Sequence, residues 1–197
     1  MAFQSVLEPL RISCKVAWIL ILTNAVPVNE VLAAQSKKPR PVEIPNEIIQ
    51  TLKGDESVAR CLVENVGVPH NLRARLLNLT GHADGEILVH GINRCLCGAN
   101  NCVHWIFRKI ASTYELILEV RAIQDIEVKK TRTNGYRDLV TWMHGSAYDH
   151  DLSVYKFNGR KYERTECLQS SYSYIDSEGR ERTRKRPLIT PVQCGPD

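Results

Sequence analysis

Three cysteines lie within eight residues of this chain, at Cys95, Cys97 and Cys102. Thiol groups this close together either bind a metal ion or form disulfides, and the redox state of the compartment decides between the two. With His90 and His104 nearby, the segment has the ligand types of a zinc site. Structural zinc sites usually take paired ligands from two separate segments, so we favour disulfides and assign no metal ligand and no cofactor.

The N-terminus indicates an oxidising compartment. Arg11 and Lys15 precede the apolar run 16–22, which is the order of a secretory signal peptide. That run is shorter than the roughly 20 apolar residues of a membrane-spanning helix, so we expect cleavage near Ala33 and no permanent membrane span. The alternative is a short buried N-terminal helix of a cytosolic protein.

The predicted organisation follows from this cleavage. We expect a signal peptide over residues 1–33, a flexible linker over 34–45 and a single domain over 46–197 that is periplasmic or secreted. The full chain has a formal net charge of +4, a mild basicity that favours solubility and loose contact with anions. We predict no nucleic-acid partner, because exported proteins seldom meet nucleic acid.

Six cysteines remain after cleavage, enough for three disulfides. The sequence alone does not choose among the possible pairings. A Gly-Ala-Asn-Asn insert can turn the chain back between one pair, and a second pair would tie the C-terminal tail to an apparent strand. The favoured pairs are Cys97 with Cys102, Cys167 with Cys194 and, by elimination, Cys61 with Cys95.

The chain changes character near Leu76. Before it, Asn46 and Asp55 are placed to cap two short helices. After it, short runs of β-branched and aromatic residues alternate with Gly, Asn and Asp, which predicts strands. In residues 114–120 the apolar side chains alternate with Glu115 and Glu119, so one face of that strand should be buried.

An internal repeat with a spacing of about 50 residues organises this β region. The copies span approximately residues 76–120 and 130–168, and each predicts a three-stranded antiparallel meander. The matched positions are Glu86 with Asp138, Phe107 with Tyr155 and Tyr114 with Tyr162. We therefore predict an α+β fold, in which an N-terminal helical region is followed by two related β-meanders stabilised by disulfides.

The loops that precede these strands resemble the FG-GAP and VCBS-like repeats of exported bacterial proteins. Residues 78–89 and 134–140 each combine an Asn- and Gly-containing loop with an acidic residue and aliphatic residues. Residues 154–162 are similar to a strand pair found in uncharacterised exported proteins. The resemblance implies loops that often bind calcium, but Lys130 and Arg132 occupy ligand places here and cannot bind a cation.

Two groups of residues have the types needed for chemistry or binding. The segment 144–151 contains His144, Ser146, Asp149 and His150, which are the types of a nucleophile, a base and an orienting acid. Triad members usually come from separate elements, so a polar loop is the favoured interpretation and no catalytic residue is assigned. A surface metal site at the two histidines is the alternative.

The candidate ligand contacts also include the densest basic run of the chain and two tryptophans. The run consists of Arg180, Arg182, Arg184, Lys185 and Arg186, and its alternating part would align several cations on a strand face for contact with an anion. Tryptophans can stack against glycans, although core packing is their default role. The candidate contact residues are Trp105, Trp142, His144, His150, Arg180, Arg182 and Arg184.

Three functions remain open. We favour a non-enzymatic binding protein, exported or periplasmic, with an unknown partner that could be an envelope protein or an anionic envelope polymer. The second is an inhibitor or immunity-type protein that presents a disulfide-braced loop to an envelope enzyme. The third is a small hydrolase or metal-dependent enzyme that uses the 144–151 loop.

Overall fold

A computed structural model describes residues 41–63, 71–82 and 85–195 of the chain. The predicted signal peptide over 1–33 and most of the predicted linker lie outside the described residues. All the described residues belong to one compact unit.

Among the described residues the fold is mostly β, with 61% strand and about 10% helix, so the α+β prediction is wrong. The helices with described bounds have eight residues each. The elements are α1 (Asn46–Lys53), α2 (Glu56–Val63), β1 (Leu72–Leu77), β2 (Glu86–Gly91), β3 (Cys102–Ile110), β4 (Thr113–Ile123), β5 (Asp125–Thr133), β6 (Tyr136–His144), β7 (Asp149–Phe157), β8 (Tyr162–Ile175) and β9 (Glu181–Val192).

The strands form two antiparallel meanders, one of them a half-barrel. The first sheet has the order β1-β2-β3-β4 and the second has β5-β6-β7-β8-β9. The two meanders form separate sheets, and the chain passes from one to the other through Gln124 between β4 and β5. Strands β1, β5 and β9 enlarge the two expected three-stranded units.

The two helices pack on one face of the first sheet. Ile48, Leu52 and Val58 form a core there with the strand residues Val89 and Trp105. The opposite face packs against the second sheet through a second core, whose members are Leu77, Leu79, Leu88, Ile106, Ile117, Leu118, Val120, Ile123, Ile126, Leu139, Tyr155, Phe157 and Tyr162. The first sheet is thus buried on both faces, which explains the apolar segments 87–89 of β2 and 105–107 of β3.

The helix caps follow the sequence only in part. Pro45, not Asn46, is the N-cap of α1, and no side chain caps that helix. Asp55 caps α2 as expected, because its Oδ1 accepts a hydrogen bond from the backbone N–H of Val58 at 3.2 Å. Its Oδ2 accepts from the indole Nε1–H of Trp105 at 3.4 Å and so ties the cap to the sheet.

A β-bulge changes the burial pattern expected for β4. Ile106 pairs with Leu118, but the next residue, Phe107, pairs with Leu116. Ile117 is therefore the extra residue of a bulge. It is buried, whereas Leu116 is 37% exposed. The simple alternation predicted for residues 114–120 fails at this point.

The second meander repeats this register, at a spacing of 48 residues for β3 and β4 and of 52 residues for β2. Phe107 lies opposite Ile87 in the first meander, and Tyr155 lies opposite Leu139 in the second. Ile87 and Leu139 directly follow the matched acids Glu86 and Asp138. The bulge recurs as well, because Val154 pairs with Glu166 and Tyr155 pairs with Arg164.

Three disulfides brace the two sheets, in the pairs favoured from the sequence. Cys61–Cys95 joins α2 to the loop after β2, and Cys97–Cys102 closes the tip of that loop. Cys167–Cys194 attaches the chain beyond β9 to β8. In the part of the chain that the structure describes, no helix has the length and apolar character to cross a membrane.

Candidate functional site

A cleft of about 620 Å³ opens where the first sheet meets the beginning of the second. Strands β1, β2 and β3 contribute side chains from one side, and β5 and β6 from the other. Two apolar residues, Leu88 and Ile126, line part of it. Its polar and aromatic lining residues are Arg75, His90, His104, Gln124, Asp125, Glu127 and Trp142.

Two histidines lie face to face on the first-sheet side of the cleft. His90 and His104 are directly opposite each other on β2 and β3, with ring centroids 5.4 Å apart. Nδ1–H of His104 donates to the carbonyl oxygen of Cys102 at 3.3 Å, which leaves Nε2 as an acceptor. Nδ1 of His90 is buried and has no hydrogen-bond partner among the described residues.

Burial keeps both rings neutral at ordinary pH. Desolvation lowers the pKa of His104 to about 4, against a partly compensating hydrogen bond to Cys102. Desolvation also lowers the pKa of His90, and the nearby charge of Arg75 adds to this effect. The imidazoles therefore face the cleft as uncharged donor and acceptor groups.

An ion pair lies at the side of the cleft. The Arg75 guanidinium on β1 contacts Oδ1 of Asp125 on β5 at 3.3 Å, so it bridges the two sheets. The Asp125 side chain is 70% exposed, and surface pairs of this kind contribute little stability. Both groups line the cleft, and the Asp125 carboxylate is the more accessible of the two to a ligand.

Trp142 links the cleft to one face of the second sheet. Its ring lies edge-on to His150 with centroids 6.3 Å apart, and His150 lies 5.3 Å from His144. His150 on β7 pairs with Ser170 on β8, and Ser170 is 1% exposed. The Ser170 hydroxyl and Nδ1 of His150 are buried and lack a hydrogen-bond partner among the described residues. Buried polar groups are normally hydrogen-bonded, so these two atoms are an exception on this face of the sheet.

The loop that contains Ser146 has a structural arrangement. The Ser146 hydroxyl donates to Oδ2 of Asp149 at 2.9 Å and accepts from the backbone N–H groups of Tyr148 and Asp149. Hydrogen bonds to Ser171 and Ser146 lower the pKa of Asp149. Among the described residues no hydrogen bond joins Ser146 to His144 or His150, so the hydroxyl holds a turn.

The remaining sequence candidates fall into different environments. Trp105 is fully buried under the helices, so it serves the core. Arg180 and Arg182 both pair with Oδ2 of Asp176 beside the β8–β9 turn. Arg184 lies over the ring of Tyr174, with its guanidinium carbon 4.9 Å from the centroid.

The cysteine loop touches the segment that replaces it in the second meander. The side-chain amide of Asn101 donates to the carbonyl oxygen of His144, and its oxygen accepts from the backbone N–H of His144. The cysteines of this loop are held in disulfides. Within the described residues, no three His, Cys, Asp or Glu side chains are placed to hold a metal ion.

A guanidinium lies at the loop where calcium would be expected from the FG-GAP resemblance. Nη1 of Arg132 donates to the carbonyl oxygens of Leu79, Thr80 and Gly135 at 2.8–3.0 Å. Glu86 holds the same loop by accepting from the backbone N–H of Leu79 at 3.0 Å. The guanidinium of Arg132, a positively charged group of the chain itself, thus binds these carbonyl oxygens.

Sequence reasoning missed the cleft as a site. His90 and His104 were considered only as zinc ligands, and Arg75, Asp125 and Glu127 were not singled out. The available signal was the position of polar histidines within the apolar runs of β2 and β3. A histidine on a strand that is buried on both faces needs a polar environment. Here the cleft provides that environment.

Comparisons of the chain with protein-family models, with curated proteins and with solved structures gave no match.

Proposed function

We propose that the protein is an exported, non-enzymatic binding protein whose ligand is a carbohydrate held in the cleft between the two sheets. The observation that carries this proposal is the cleft of about 620 Å³ with Trp142 on its wall. This volume falls in the range of roughly 300–1,000 Å³ typical of small-molecule sites.

The lining chemistry favours a sugar over an apolar ligand. Planar polar groups such as the guanidinium of Arg75 and the carboxylates of Asp125 and Glu127 can each bond two adjacent hydroxyls. The indole of Trp142 offers an apolar face for the C–H groups of a sugar ring. The neutral rings of His90 and His104 add a donor and an acceptor without a fixed charge.

Export is part of the proposal. Three disulfides suit an oxidising compartment such as the periplasm or the extracellular medium. Two of them, Cys61–Cys95 and Cys97–Cys102, also brace the loop between β2 and β3, the strands that carry His90 and His104, and a rigid site loses less conformational entropy when a ligand binds.

The test is titration of the oxidised protein with neutral glucan and chitin oligosaccharides, followed by calorimetry and tryptophan fluorescence. We expect Trp142→Ala to weaken binding at least about tenfold, which corresponds to about 1.4 kcal/mol. His82→Ala removes an exposed ring from the β1–β2 loop and serves as the control, which should bind normally. Absence of binding by the wild type, or equal affinity in Trp142→Ala, would contradict the proposal.

An inhibitor or immunity-type role is the second candidate. It is favoured by the loop between Cys97 and Cys102, whose residues Gly98, Ala99 and Asn100 are exposed at a covalently closed tip. A closed loop of this kind could enter the active site of an envelope enzyme.

In that case we expect inhibition of one member of a panel of purified cell-wall hydrolases. The Cys97→Ser/Cys102→Ser variant should lose at least about tenfold in inhibitory affinity, because the loop must then be ordered on binding. The Cys167→Ser/Cys194→Ser variant opens a different disulfide and is the matched control. Equal inhibition by the wild type and the Cys97/Cys102 variant would sink this alternative.

We also propose that the two meanders are copies of one unit, related to the FG-GAP and VCBS-like repeats. The support is the common register at a spacing of 48 residues, which includes a β-bulge at the same place in both. Glu86 and Asp138, the matched acids, are both 5% exposed.

A further inference from the structure

One face of the second sheet carries a row of aromatic and polar side chains that begins at the cleft. Trp142 and His144 alternate on β6, and His150 contacts both rings from β7. On β8, Ser170 lies opposite His150, and side chains two residues apart share a face. The row therefore continues along β8 through Tyr172 and Tyr174.

A basic bulge lies at the far end of this row. Ser173 pairs with Thr183 and Ser171 pairs with Leu188, so four residues of β9 oppose the single residue Tyr172. These four residues are Arg184, Lys185, Arg186 and Pro187, named here the basic bulge.

The cations of the bulge are not neutralised by the ribbon that carries them. Asp176 engages Arg180 and Arg182, and Arg180 also pairs with Glu178. Lys185 and Arg186 are exposed and form no ion pair within the described residues. The available positive charge is therefore concentrated in three consecutive residues, not in the alternating set expected from the sequence.

Backbone pairing with another strand is disfavoured at this edge. Pro187 and Pro191 lack the N–H groups that an added strand would need, a common feature of edges that must stay unpaired. The partner of the bulge should thus be recognised by its charge.

We propose that the ligand is an acidic polysaccharide with carboxylate groups on its sugar rings, which runs from the Trp142 cleft across the second sheet to the basic bulge. This inference rests on the proposed carbohydrate-binding function and adds the charge of the ligand and its direction on the surface. Strands β6 and β9 are three spacings apart, roughly 15 Å, so only an oligomer can reach both.

Each part of the path matches one feature of such a polymer. The rings of Trp142, His150 and Tyr172 supply stacking surfaces for sugar rings. The basic bulge attracts the carboxylates, and this contribution weakens with salt.

The test compares binding of polyuronate oligosaccharides and neutral glucan oligosaccharides of equal length, at low and high salt. We expect Lys185→Glu/Arg186→Glu to weaken polyuronate binding at least about tenfold at low salt and to leave neutral-glucan binding unchanged. The matched control is Lys109→Glu/Lys161→Glu, which changes the net charge equally at two exposed lysines outside the row. This control should retain most of its affinity for polyuronate.

The outcomes separate this inference from the proposed function. If neutral glucan binds through Trp142 but the bulge variant and the control bind polyuronate equally, the inference fails and the binding function stands. If neither sugar binds, both fail. Tighter binding of a single-stranded oligonucleotide of equal charge, lost in the bulge variant, would also overturn the inference, because the bulge would then serve a nucleic acid.

Discussion

Removal of the Cys61–Cys95 disulfide by Cys61→Ala/Cys95→Ala is expected to lower the free energy of unfolding by about 4 kcal/mol. This value follows from the loss of loop-closure constraint in the unfolded chain, across a sequence separation of 34 residues. The bond also fixes α2 on the first sheet, where Cys61 is 2% exposed. The measurement is guanidinium-induced unfolding, followed by tryptophan fluorescence.

The control is the same substitution at the Cys97–Cys102 disulfide. Its sequence separation is 5 residues, so the same relation gives a loss of about 2 kcal/mol. The ranking of the two variants is therefore the decisive result. Equal losses, or a larger loss for the short loop, would show that the long disulfide does not constrain the unfolded chain as argued.

A second large effect is expected in the pH dependence of stability. The pKa of His104 is about 4 in the folded protein, below its ordinary value of 6.5. Between these values the unfolded chain binds a proton that the folded protein does not, so the free energy of unfolding falls as the pH falls from 6.5 to 4. The total loss from this residue is about 3 kcal/mol. The lowered pKa of His90 acts in the same direction.

Thermal melts at pH values between 7 and 4 measure this slope. The variant His104→Phe cannot titrate, so its stability should change less over that range, whatever its stability at pH 7. His82→Gln removes an exposed histidine and should retain the slope of the wild type. An unchanged slope in His104→Phe would mean that the buried imidazole takes up its proton without cost.

Local patterns predicted the parts of the fold in which the signal lies in neighbouring residues. The Asp55 cap was readable because an acidic residue preceded an apolar helix face. The disulfide pairs followed from turn residues and from the positions of the cysteines. In each case the interacting groups are close in sequence or lie at the end of a helix or strand.

The α+β prediction was wrong because several strands lack a strong apolar pattern in the sequence. Strand β5 has few buried positions and carries Glu127, Lys129 and Lys130. Strand β9 is exposed along most of its length. These segments are strands because their backbones pair with β6 and β8, and pairing between distant segments leaves little trace in local composition.

The cleft could not be located from the sequence for a related reason. It forms where Arg75 and His90 of the first sheet meet Asp125 and Trp142 of the second. No local sequence motif indicates which edges of two sheets come together. Trp142 and His150 were identifiable as candidate contacts, but their arrangement in one row required the register of β6, β7 and β8.

The Arg132 guanidinium has a consequence for the environment in which the protein can work. A loop that folds around a bound metal ion depends on the concentration of that ion, which varies outside the cell. Here the positive charge that gathers the carbonyl oxygens of Leu79, Thr80 and Gly135 is covalently part of the chain. The junction between the first sheet and the β5–β6 hairpin therefore keeps its cation whatever the mineral content of the surroundings.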